Sequence, residues 1–360
     1  MIMRFIEEYR NDDLIGRLAG MIRKEAHGSY NFMEVCGGHT AAIRRFGLPS
    51  LLPEGINLIS GPGCPVCVTS TGFIDRLVAY SRLSNVIIAT FGDLIRVPGS
   101  ESSLAKESSA GADVRVVFSG LDALQMAERD PSKTVIFPGI GFETTAPGTA
   151  VVIKQAAAAG LKNFLVLSAH KLMPPAMDAV VRDGLKIDGF ICPGHVAAIT
   201  GSDVFNFLPE KYGTGCVVSG FEPVDLLQSV LMLVLQKNNR NPSVEIQYSR
   251  AVTRTGNTRA QLQLHEVFES CDSIWRGLGM IAGSGLRIRE SFRFWDACER
   301  IALDMKPAVE NKLCICGDIL RGIKIPSDCS LFRKVCSPGS PVGACMVSAE
   351  GTCNTFFRYS

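Results

Sequence analysis

The sequence predicts an α/β protein: two duplicated parallel-sheet units, then a mostly helical and irregular domain rich in cysteine. Three observations predict it. Short apolar runs each end in a glycine-rich turn and lead into a helical segment, two halves of the chain resemble each other, and cysteines crowd the C-terminus. Strands alternating with helices imply βαβ units and parallel pairing.

Residues 1–27 read as one or two helices, with Phe5, Ile6, Tyr9, Leu14, Ile15, Leu18, Met21 and Ile22 at helical spacing. The strand-like runs of the first half are 31–35, 57–60, 86–90 and 114–118. Those of the second half are 134–137, 163–167, 189–191 and 216–218. The self-similarity is local. Val116-Val117-Phe118-Ser119-Gly120 with Leu124-Gln125 resembles Val217-Val218-Ser219-Gly220 with Leu227-Gln228, and Arg96-Val97-Pro98-Gly99-Ser100 echoes Ala198-Ile199-Thr200-Gly201-Ser202. Two copies of a four-stranded unit, 28–130 and 131–240, are therefore expected. Residues 1–27 and 241–360 would form the third domain. A polar linker is expected at 236–243, helices at 259–270 and 291–303, and a turn-rich loop at 277–285 between them. No Gly-Lys-Ser/Thr follows these glycines, so they make no nucleotide loop. The tail from Cys314 is irregular and buries little by itself, so a metal centre would have to organise it.

Bulk composition narrows the function. Of 360 residues, 46% are hydrophobic and 20% charged, the make-up of an ordinary globular chain with substantial cores. A net charge of +2 gives no electrostatic case for nucleic acid or an acidic membrane surface. The N-terminus carries Glu7, Glu8, Asp12 and Asp13 and lacks the apolar core of a signal peptide. The most apolar window, 224–235, is too short to span a bilayer and contains Asp225 and Gln228. The expected compartment is the cytoplasm. There, 13 cysteines, six of them in the last 47 residues, point to metal or redox chemistry rather than structural disulfides. Cys192, Cys216, Cys271 and Cys298 sit in apolar or helical surroundings and read as small core residues.

Ligand sites in such sheets lie beyond the carboxyl ends of the strands, where the unusual motifs fall. Cys36-Gly37-Gly38-His39-Thr40 ends the first run. It would present a thiolate and an imidazole to one ion, let the histidine activate the cysteine, or simply place a core thiol and a helix-start residue. Gly61-Pro62-Gly63-Cys64-Pro65-Val66-Cys67 is a stiff turn before a helix. Its two thiols can close on each other, share a metal, or pack as buried structural cysteines, and the helix N-terminus favours a thiolate. With Cys36 these three soft ligands suit iron, and zinc stays possible. Gly139-Ile140-Gly141-Phe142-Glu143-Thr144-Thr145 offers close backbone approach and, in Glu143, a base or ligand. His170 and His195 end the next two strands, and Cys192-Pro193-Gly194-His195 echoes the first motif. In the tail, Cys314, Cys316, Cys329, Cys336, Cys345 and Cys353 lack the paired knuckles of a zinc ribbon and suit a [4Fe–4S] cluster, which takes four thiolates.

At these residues the sequence resembles the HypD family of [NiFe]-hydrogenase maturation proteins. The match takes in Cys36-Gly-Gly-His-Thr40, Gly61-Pro-Gly-Cys-Pro-Val-Cys67, Gly141-Phe-Glu-Thr-Thr-Ala-Pro147, Pro193-Gly-His-Val196 and the tail from Cys314 to Cys353. The resemblance implies two Rossmann-like α/β units plus a cluster-bearing domain, and a scaffold on which the Fe(CN)₂CO group is assembled. It implies a small HypC-type chaperone as partner and a HypE/HypF-type pair as cyanide donor. The family's iron site maps onto Cys36, with Cys64 and Cys67 as a nearby redox pair. Its C-x₁₄-C-x₆-C-x₁₆-C tail maps onto Cys314, Cys329, Cys336 and Cys353. Cys316 and Cys345 are left as a second disulfide beside the [4Fe–4S] cluster, as in ferredoxin–thioredoxin reductase, which the family's cluster region resembles. In the mechanism this implies, His39 and Glu143 stand near the iron or handle protons. An iron–sulfur-dependent thiol–disulfide oxidoreductase is the alternative, and it gives no role to Cys36–His39 or to 141–147. A structural zinc protein is third.

Overall fold

A computed structural model describes residues 7–360. Phe5 and Ile6, named above in the first helix, lie outside the described residues. The chain then forms a helix at Asp12–Glu25, capped by the Asn11 side chain accepting from Leu14 N. All eight expected runs are strands: β1 Tyr30–Glu34, β2 Ile56–Ser60, β3 Val86–Thr90, β4 Val114–Val116, β5 Thr134–Gly139, β6 Phe164–Ser168, β7 Gly189–Pro193 and β8 Gly215–Ser219. Strands β3, β7 and β8 are buried along their whole length, as parallel strands covered by helices on both faces must be.

The strands pair in an order the apolar runs do not reveal. A five-stranded sheet runs β2-β1-β7-β8-β9, where β9 is Val244–Ile246, and a four-stranded sheet runs β4-β3-β5-β6. All these pairs are parallel. Each sheet thus takes strands from both halves, so 28–130 and 131–240 do not each close a sheet of their own. A parallel neighbour needs only a long crossover, and which strand it joins is settled by burial across the sheet rather than by the run itself. The two sheets do share one topology. In each, two consecutive strands are laid outward on one side and the later strands, three in the first sheet and two in the second, on the other, which leaves switch points between β1 and β7 and between β3 and β5.

Two further expectations change. The polar stretch 236–243 is no linker: helix Pro223–Asn238 runs into it and β9 follows at once, with Gln236 buried and bonded to Glu245. The glycines of 277–285 belong to an antiparallel hairpin, β10 Phe268–Trp275 and β11 Gly279–Ile288. Gly277 and Gly279, at φ +76° and +80°, make its turn in a region other residues rarely adopt. The helix before it stops at Val267, and 291–303 holds only a 3₁₀ segment, Glu290–Trp295, and one short turn, Ala297–Arg300. The tail is largely irregular, as expected, with a short helix at Cys316–Leu320 and 3₁₀ turns at Pro326–Asp328 and Ala344–Met346, until helix Thr352–Tyr359. Among the described residues no helix is long and apolar enough to cross a membrane.

Candidate functional site

The switch point between β1 and β7 gathers two of the sequence motifs. β1 ends at Glu34, and Cys36 immediately precedes helix Gly37–Arg45. The neighbouring β2 ends in the Gly61–Gly63 turn, which is pinned to that point. Gly61 N donates to Glu34 O at 2.8 Å, and Gly37 N donates to Gly63 O at 3.0 Å. A side chain on Gly63 would overlap the backbone of Val35 and Cys36, so only glycine lets the turn lie this close. The next residue, Cys64, forms a disulfide with Cys67 across a Cα separation of 5.3 Å.

Burial decides the protonation of this site. It pushes the Cys36 thiol up to about 12, helped by Glu350 and Glu34 and opposed by the N–H groups of His39 and Gly38. Cys36 is thus a neutral thiol by itself, and a bound cation would displace its proton. Glu34 is buried, accepts from Thr40 Oγ1 at 2.9 Å, keeps Oε2 without a partner, and is raised by desolvation to about 8. His39 is buried, and Nε2–H donates to Ser219 O at 3.3 Å, since a carbonyl only accepts. That leaves Nδ1 as an unpartnered acceptor, and burial lowers the ring to about 4. His39 and His195, from the two echoing motifs, both lie against Phe221, with ring centroids 4.6 and 3.9 Å away.

The tail folds back onto the same point. Glu350 lies over Gly37, and Arg44 covers the Phe356 ring at 3.8 Å. Cys314, Cys316, Cys329, Cys336, Cys345 and Cys353 line one pocket with Ile319, Leu331, Phe332 and Met346. Burial, then the thiols of Cys316, Cys314, Cys336 and Cys329, push the Cys353 thiol well above its usual range. The Sγ atoms of Cys316 and Cys345 stand 2.7 Å apart. The Cys345 turn, Ala344–Met346, packs directly against the Pro65–Val68 turn that carries Cys67. Cys64, Cys67, Cys316 and Cys345 lie in one apolar core.

The HypD family profile, described as "Hydrogenase formation hypA family", matches residues 13–360. The chain belongs to the HypD family. It is 48% identical over 367 residues to the "Hydrogenase maturation factor HypD" of Azotobacter vinelandii, covering 99% of this chain and 97% of that one. The same name is carried by a protein of Cupriavidus necator, 46% identical over 368 residues with 99% and 97% covered. A third, from Rhodobacter capsulatus, is 44% identical over 370 residues with 99% and 98% covered.

In this HypD-family chain the other predicted residues are placed as follows. Glu143 stands after β5, at the other switch point. Its Oε1 accepts from Met173 N at 2.9 Å and Oε2 has no partner. Its recorded bond is to the helix Met173–Arg182, not to the Cys36 loop. His170 is a satisfied core residue: Nε2 is 3.2 Å from Thr149 Oγ1 and Nδ1 is 3.2 Å from Ser168 Oγ. Cys192 and Cys216 are buried as expected, whereas Cys298 is exposed and Cys271 half-buried. Sequence reasoning placed Glu34 at the head of the Cys36 motif without giving it a role, and missed Phe221, Glu350 and the buried Arg276. Only Glu34, two residues before Cys36, carried a local signal.

Desolvation raises Glu143 from 4.5 to about 7. Between those values the folded chain keeps a proton that the unfolded chain releases, so this group's contribution falls as pH rises, by at most about 1.4 kcal/mol per unit. Glu143→Gln removes that slope. Its urea midpoint should gain on the wild type as pH climbs from about 4.5 to about 7, and parallel pH profiles would refute the assignment.

Proposed function

We propose that this chain is a hydrogenase maturation factor and the scaffold on which the Fe(CN)₂CO group is assembled. One observation carries the reading: the Gly37–Gly63 hydrogen bond holds Cys36 and the Cys64–Cys67 turn together at a switch point. In this reading iron is the cargo. Cys36 binds it as thiolate together with a thiolate of a small HypC-type chaperone, and soft donors suit an iron that also carries cyanide and carbonyl. The cyanide comes from a HypE/HypF-type pair. His39 is neutral, and its free Nδ1 offers a hydrogen-bond acceptor to a proton-carrying group at the site. Glu143, buried near neutrality with Oε2 free, is a proton-exchanging group.

Cys314, Cys329, Cys336 and Cys353 would hold a [4Fe–4S] cluster. Four of the six thiols around this shared apolar pocket match a cluster's donor set. When bound, the cluster supplies electrons one at a time. The close approach of Cys316 and Cys345, and the packing of Ala344–Met346 on Pro65–Val68, support a relay of dithiol pairs toward Cys36. Opening the Cys64–Cys67 disulfide consumes two electrons and two protons, and closing it returns them.

An infrared spectrum of the chain purified with its HypC-type partner tests the function. Cyanide and carbonyl stretches are expected. An iron–sulfur chain without them would instead be the thiol–disulfide oxidoreductase. The relay has its own check. In the denatured, unreduced chain Cys64 and Cys67 should escape alkylation, and both should label after reduction. Labelling of both before reductant contradicts the disulfide.

A further inference from the structure

Arg276 sits on the β10–β11 turn and is only 7% exposed. Its backbone N–H donates to Val68 O at 2.9 Å, one residue beyond Cys67, and Nη2 donates to Pro98 O at 2.9 Å. Nε has no partner. Next to it, Gly277 lies against Gly317, so the hairpin turn touches the element that starts at Cys316. Arg276 also lines a cavity of about 860 Å³ together with Cys314, Cys316 and Glu310. The charges that act on the guanidinium are the thiols of Cys316, Cys345 and Cys314 and the carboxylate of Glu310, whose Oε1 already accepts from Thr71.

A buried cation without a paired carboxylate is costly unless some other negative charge stands against it. Here the groups at hand are the solvent-exposed Glu310 carboxylate and the tail sulfur atoms, of which Cys314, a ligand in the cluster reading, becomes charged when it binds iron. We infer that Arg276 is the built-in counter-cation of the tail thiolates and raises the reduction potential of the cluster they hold. It is a positioning residue that acts through those thiolates. The sign follows from charge: reduction adds an electron beside a fixed positive group, so removing the group disfavours the reduced state. This inference rests on the cluster reading above, which fails separately if the wild-type chain, reconstituted with iron and sulfide, shows no cluster absorbance. In that event both ideas fall before any variant is made.

The test is a redox titration of the reconstituted full chain, followed by the electron paramagnetic resonance of the reduced cluster. Arg276→Gln should hold wild-type iron, while its reduced-to-oxidised ratio at a fixed potential falls at least about tenfold, a 59 mV shift for a one-electron couple. Arg276→Lys should restore most of that ratio. An unchanged midpoint in Arg276→Gln overturns the inference. So does a wild-type midpoint that moves with added inorganic phosphate, because the counter-charge would then be an anion in the cavity. If Arg276→Gln and Arg276→Met lose iron but Arg276→Lys keeps it, the charge is needed to hold the cluster and the inference stands. Loss in all three assigns the residue to packing and the bond to Pro98, and overturns it.

Discussion

Cys36→Ala is expected to abolish iron–cyanide loading while leaving the fold intact. The side chain makes no capping bond to its helix, so stability should change by no more than about 1 kcal/mol. The chemical loss is much larger. An alanine offers no donor at the one position where the β1 end, the Gly61–Gly63 turn and the N–H groups of Gly38 and His39 meet. Loss of a ligand should lower iron retention by about 100-fold or more, beyond what changes to supporting groups produce. The infrared bands of cyanide and carbonyl should vanish from the partner complex, while the absorbance of the proposed tail cluster persists. Full bands in the variant would show that Cys36 does not hold the iron.

Gly63→Ala is expected to be the most damaging small change near the site. The added methyl would meet the backbone of Val35 and Cys36, which cannot turn aside as a flexible side chain can. Overpacking of this kind costs about 1–3 kcal/mol, measurable in urea unfolding. Because the bond from Gly37 N to Gly63 O must lengthen, Cys64 and Cys67 would also move away from Cys36. Loading should therefore fall more than stability alone explains. A variant as stable and as well loaded as the wild type would mean that the turn and the Cys36 loop need no fixed separation.

The motifs were legible because they join rare residue types to stiff backbone. Cys36, Cys64 and Cys67 each follow a recognisable strand and sit among glycines and prolines, so their position at strand ends could be read directly. The hairpin at 268–288 was not legible. Its glycines mimic a loop, and only in three dimensions do Gly277 and Gly279 become its turn. Arg276 went unnoticed with it. Phe221 gave no signal either, since its role exists only because His39 and His195 close on it from elements far apart in the chain.

Sequence by itself determined the first eight strands, the rare residues at their ends and the thiol-rich tail. These depend on the local period of apolar residues and on the few residues able to make a given turn or ligand. Tertiary structure alone decided that β1 lies beside β7, that the tail covers the Cys36 helix, and that Ala344–Met346 packs on Pro65–Val68. Such neighbours are separated by long stretches of chain. Which of them meet is set by the burial each arrangement achieves against the entropy of closing the loops between them, a balance that no single stretch of sequence expresses.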